Sequence, residues 1–233
     1  MVSIAQSVQA QSPGSAADRL AEAARYALLR RLAPSMRHHL VVNLQPIGMI
    51  YEVMERRLRA PQPNLGDVHE SAQKINGFAR AALNSCLDVV SWLAPDGEAV
   101  STVGDGVREC LSLLATSLTF RGYNVRNEVE PVTGEVRRSA IRSVLTAAII
   151  HITDESPPPA DLVLSAEGNL DALVLTLTLQ PTDGEQGFAT EAGYRALRWA
   201  DVEALAAAES VELARENAQR LRIRIPWVQP ATA

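Results

Sequence analysis

The chain has 233 residues, 47% of them apolar and 21% charged, with a net charge of −5. That is room for one large domain or two small ones with a real core. The acidic balance excludes a sequence-blind nucleic-acid binder, which needs a basic surface to displace counterions.

The two cysteines, Cys86 and Cys110, stand in apolar helical contexts without a CxxC or a Cys/His cluster. They are expected to be small core residues of a reducing compartment, with no disulfide and no metal. No run approaches the ~18 apolar residues of a membrane helix. Residues 1–15 lack the basic and apolar regions of a secretory leader, and their Gln, Ser and Gly content predicts a loose tail. A cytoplasmic location is expected.

Residues 15–58 have a helical pattern. Leu29, Leu32, Met36, Leu40, Ile47, Tyr51, Met54 and Leu58 recur at three-, four- and seven-residue steps and share one face. Pro34 could open a new helix at its first turn, and Pro46 should kink the helix by removing a hydrogen bond. Residues 60–67 break the pattern. A second helix over residues 68–93 carries Val68, Ala72, Ile75, Ala79, Ala82, Cys86, Val89 and Leu93 at coiled-coil-like spacing. One such antiparallel hairpin cannot bury both stripes, whereas two can, as a four-helix bundle, so a homodimer is expected.

After a linker, residues 103–120 predict a helix stopped by Arg121 and Gly122, and residues 123–129 a strand. Residues 137–152 predict a helix with Ile141, Val144, Leu145, Ala148 and Ile152 inward. Residues 162–166 and 173–179 predict a hairpin around Glu167-Gly168-Asn169. Residues 194–209 predict a helix and 221–228 a last strand, while 213–219 have no clear pattern. The fold class is α+β: a helical hairpin forming a dimeric four-helix bundle (residues 15–95), then an α/β sandwich (residues 101–229).

His38 and His39 lie mid-helix. At 100° per residue His38 falls about 200° from Met36, facing water, and His39 falls on the flank of the stripe. Val41, Val42, Gln45 and Met49 surround His38 as an exposed, largely apolar docking surface. A neutral imidazole is a good nucleophile near pH 7 and its phosphoramidate transfers readily; the plainer alternative is two surface histidines. Adjacent helix residues diverge too far to share one metal. His69 and His151 are expected at helix caps or on the surface.

The order of elements, with Arg37-His38-His39-Leu40-Val41-Val42-Asn43-Leu44-Gln45-Pro46-Ile47, resembles the core of sensor histidine kinases. In that resemblance His38 is the phosphoacceptor, and Leu40, Leu44 and Ile47 are the apolar positions that follow it in the family's histidine box. Residues 104–130, 138–153 and 193–226 resemble parts of the family's ATP-binding domain, but the motifs depart from it. The magnesium-holding asparagine falls on Ala147, which offers a hard cation no oxygen. Asp183 and Gly184 are an offset echo of the adenine-binding stretch 180–187, and the glycines before the last helix have become Gly193-Tyr194-Arg195-Ala196-Leu197. His39 replaces the acidic residue after the histidine.

The resemblance therefore implies no ATP, no cofactor and no autokinase activity. It implies instead a phosphotransferase on a degenerate kinase scaffold, with response-regulator receiver domains as partners that supply Mg²⁺, and neither nucleic acid nor membrane. Arg37, His39 and Asn43 are possible supporting residues. The alternative is a catalytically dead scaffold that binds a kinase or response regulator, and a weak nucleotide site at Asp183 and Gly184 is a third possibility.

Overall fold

A computed structural model describes residues 15–94, 97–184, 187–188 and 194–228. Two long helices come first, α1 (Ala16–Leu58) and α2 (Leu65–Leu93). Ser15 and Asp18 form a reciprocal capping box at the start of α1, satisfying two orphan donors. Asn64 accepts from the Gly66 amide at the start of α2. The hairpin is braced inside by Asn43, whose amide nitrogen donates to Ser85 Oγ at 3.0 Å, and at the turn by Arg57, which donates to the Asp67 carbonyl and Ser71.

α1 runs unbroken through Pro34 and Pro46, so Pro34 does not open a new helix. A proline inside a helix costs ~3 kcal/mol, but Ala24, Ala27, Leu28 and Leu32 before Pro34 and Met36 after it enter one core. Breaking the helix would pull Met36 out of it.

The chain continues as β1 (Val100–Thr102), α3 (Val103–Phe120), β2 (Tyr123–Asn127) and β3 (Glu135–Arg137). One helical stretch follows, made of α4 (Arg138–Ala140), a π turn (Ile141–Leu145) and α5 (Thr146–Glu155). Then come β4 (Ala160–Gly168), β5 (Ala172–Pro181), α6 (Trp199–Ala208), β6 (Glu212–Asn217) and β7 (Arg220–Pro226). β2, β4, β5, β7 and β6 form a sheet in that order, parallel between β2 and β4 and antiparallel elsewhere; β1 and β3 pair separately.

Alternation along β4, β5 and β7 turns Leu162, Leu164, Leu173, Leu175, Leu177, Leu221, Ile223 and Ile225 to one face under the helices. The molecule is thus α+β, a helical layer on a mixed sheet. Its core extends into the amino-terminal half of α1, which packs along α6, and reaches Trp92 at the end of α2.

Several expectations change. The last helix begins at Trp199, and residues 195–198 are non-helical; there Arg195 and the Arg198 amide are tied to Asp201 instead of to a helical ladder. The unclear stretch is strand β6, and β1 and β3 are too short to show a period. Cys86 is exposed, while Cys110 is buried as expected. His151 is a buried residue, not a cap or surface one: its Nδ1–H donates to the Leu197 carbonyl at 2.9 Å, and Trp199 lies beside its ring. No described helix is long and apolar enough to cross a membrane.

Candidate functional site

The α1 face opposite Met36, expected to look at bulk water, opens instead onto a cleft of about 670 Å³. Residues at helical steps along α1 form one wall: Arg30, Arg31, Pro34, Ser35, Arg37, His38 and His39. Leu113, Leu114, Thr116, Ser117, Leu118 and Phe120 of α3 form the other, with Arg121 at its carboxyl end and Ile150 and Asp154 of α5 at the back. The hairpin and the sandwich build this site together.

Three charges hold the walls in place. Asp154 takes a two-pronged ion pair from Arg31, at 2.5 and 2.8 Å, and a third contact from Arg121 at 3.1 Å. The side chains are only 10%, 13% and 17% exposed for Arg31, Asp154 and Arg121. Arg121 also donates to the Thr153 carbonyl and hydroxyl, and the Tyr123 hydroxyl donates to that carbonyl at 2.6 Å. Burial pushes the Tyr123 phenol above its ordinary pKa, so it stays a donor.

A second charged cluster clamps the far end of the hairpin. Arg142, turned inward by the π turn, pairs with Glu109, donates to Ser91 Oγ and lies over the Trp92 ring. Burial alone would raise the Glu109 carboxyl, but hydrogen bonds from Arg142 and Arg138 outweigh it and hold it below the usual carboxylate range. Beside it, burial pushes the Cys110 thiol up to about 12, so it is inert. Arg25 pairs with Glu209, which also accepts from Ser139, while Arg137 donates to the Glu209 carbonyl.

His38 is exposed on the cleft rim, its ring 6.3 Å from that of half-buried His39, and it makes no hydrogen bond among the described residues. Arg37 lies beside it, exposed and without an ion pair there. Val41, Val42, Gln45 and Met49 are exposed, Val42 at 50% and Met49 at 63%. Asn43 is not among the cleft's lining residues; it points between the helices, bonding Ser85 and the His39 carbonyl.

Ala147, where the family's magnesium-holding asparagine falls, is wholly buried. Asp183 and Gly184 are exposed, and Gly193 lies outside the described residues. Among the described residues no group of three or more His, Cys, Asp or Glu is arranged to hold a metal.

The sequence pattern did not single out Arg31, Arg121 or Asp154. Arg121 served only as a helix stop, and no local period links residues 123 apart in the chain, as Arg31 and Asp154 are. The seven-residue steps from Arg30 to Arg37 and from Arg31 to His38 were the one available signal.

No family model matches the chain, and no curated protein matches it. Among solved structures it is similar to the histidine kinase AdeS of Acinetobacter baumannii, at 15% identity and a TM-score of 0.44 over 77% of this chain and 96% of that one. It is similar to a histidine kinase of Burkholderia phymatum STM815, at 16% identity and a TM-score of 0.44 over 93% of this chain and all of that one. A bacterial phosphotransferase overlaps at 14% identity and a TM-score of 0.40, over 92% and 98% of the two chains. Overlaps of this size carry nothing about chemistry, which rests on the side chains.

Proposed function

We propose that this protein is a histidine phosphotransfer protein of a two-component relay, moving phosphate between receiver-domain aspartates through His38 without ATP. The observation that carries the reading is the state of His38: an exposed imidazole beside the exposed Arg37 and the exposed apolar surface of Val41, Val42 and Met49, with neither His38 nor Arg37 bonded to any partner among the described residues. A ring nitrogen attacks the phosphorus of an aspartyl phosphate, the P–O bond to the carboxylate breaks, a P–N bond forms and the ring proton passes to water. Transfer to the second aspartate reverses these steps. The receiver supplies Mg²⁺, Arg37 steadies the phosphoryl charge, and docking on the apolar patch supplies the positioning.

A route without ATP is supported by the methyl group of Ala147 where a magnesium ligand would be needed, and by His151, Leu197 and Trp199 packed together at the start of α6. A homodimer through the hairpin is supported by the apolar residues that α1 and α2 leave exposed, Leu44, Tyr51, Leu83, Leu87 and Val90 among them.

The test is transfer from a panel of phosphorylated receiver domains, following acid-labile, base-stable label on the wild type and on His38→Ala. Label that disappears in the variant, at unchanged melting temperature, is the expected result. No label from any receiver, together with a stable complex in pull-down, would replace the relay with a non-catalytic tether.

A further inference from the structure

The cleft behind His38 is larger than a phosphotransfer step needs. The imidazole stands on the rim, whereas the cleft continues along α1 for two helical turns to Arg30 and Arg31, and its volume of about 670 Å³ is that of a small-molecule pocket. A lone phosphate would leave most of it unfilled.

Its charge is out of keeping with the chain. Four guanidinium groups, Arg30, Arg31, Arg37 and Arg121, face one carboxylate, Asp154, in a protein of net charge −5. Arg31 and Arg121 are committed to Asp154. Arg37 is unpaired among the described residues, and Arg30 has only the Tyr194 ring, 5.2 Å from its guanidinium carbon. The opposite wall is mixed: Leu113, Leu114 and Leu118 back it from buried positions, Thr116 and Ser117 stand beside them, and at its lip exposed Phe120 stacks on exposed Phe188 with ring centroids 4.8 Å apart, an aromatic surface open to a ligand.

We propose that this cleft binds an organic anion, a phosphate or carboxylate head on an apolar or aromatic body, and that the bound molecule covers His38. The head pairs with Arg30 and Arg37, and the body lies along α3. Covering His38 would block phosphotransfer, a consequence that rests on the proposed role of His38, whereas binding and coverage do not.

The probe is 1-naphthyl phosphate, with inorganic phosphate and 1-naphthol as the head and body alone, titrated into the full chain by calorimetry. Saturable one-to-one binding, at least about tenfold tighter than either fragment, is expected. Arg30→Ala and Arg37→Ala should each weaken it by about tenfold, the scale of one charge-assisted hydrogen bond. Thr116→Trp, an exposed wall residue made bulky, should abolish binding with the melting temperature kept. The probe should also slow carbethoxylation of His38 by diethyl pyrocarbonate, read by mass spectrometry, which needs no receiver.

Absence of saturable binding overturns the proposal. So does binding that the three variants leave unchanged, since it would then lie on the exposed hairpin, and so does binding that leaves His38 as reactive as before. Probe binding without receiver transfer would sink the relay alone; receiver transfer without probe binding would sink this site alone.

Discussion

Replacing Asp154 by alanine tests whether the buried charges hold the two halves of the site together. The carboxylate serves Arg31 and Arg121, and both cations are largely buried. Its loss leaves Arg31 with no acceptor among the described residues, while Arg121 keeps the Thr153 carbonyl and hydroxyl. Breaking a buried pair from one side costs ~3–5 kcal/mol, because a charge is stranded. Here the cleft admits water next to the pair, which places the loss near the lower end, about 3 kcal/mol.

With a urea slope of about 2–3 kcal/mol/M for a chain of this size, the midpoint falls by about 1–1.5 M. Adding Arg31→Met removes the stranded charge, so the double variant should recover at least about 1 kcal/mol relative to additivity. A loss below about 1 kcal/mol for Asp154→Ala, at unchanged slope, would refute the idea that these charges fix α1 against α5.

Other consequences follow from the same contacts. Gly122 has φ +89°, and a Cβ there would stand 2.7 Å from the Gly187 nitrogen. Gly122→Ala should therefore cost more than the ~1–2 kcal/mol of a left-handed residue alone, read as a lowered melting temperature. In native protein, Ellman's reagent should modify one thiol per chain, exposed Cys86, with Cys110 reacting only in urea; native labelling of Cys110 would contradict its burial. Glu109 is held below its ordinary pKa in the folded state, so its contribution is present above the unfolded value of about 4.3 and lost as pH falls through the lower folded value. Acid unfolding of Glu109→Gln should be shallower than that of the wild type over that window.

The sequence made the local elements legible wherever a period was long enough. The hairpin helices, α3 with its Arg121-Gly122 stop and the β4–β5 hairpin each carry their own repeat and terminators. The exposed position of His38 was legible too, from one rotation about a helix axis. Its setting was not. That α3 stands across from His38, and that Asp154 bridges Arg31 and Arg121, are tertiary facts that no helical or strand period encodes. His151 misleads too: at the end of the expected helix it looks like a cap, but α5 runs on to Glu155, and Leu197 and Trp199 arrive from far along the chain to meet its ring.

The two halves of the hairpin face different demands, and His38 lies at their boundary. Up to Met36, α1 belongs to the core of the sandwich, clamped by Arg25 to Glu209 and by Arg31 to Asp154. Beyond it, Leu44, Tyr51, Val53 and Leu58 on α1 and Leu83 and Leu87 on α2 are exposed in the single chain. The proposed second hairpin would cover the distal half, because the proximal half already packs on α3 and α6 and is tied to α5 through Arg31 and Asp154. On the proposed relay, a receiver approaching His38 would meet the start of the proposed bundle on one side and the cleft on the other. Rotation of the sandwich against the hairpin, which would move the cleft wall away from His38, is resisted by the Asp154 and Glu109 clusters at two separate points. Loosening either cluster should alter access to His38 without touching the imidazole.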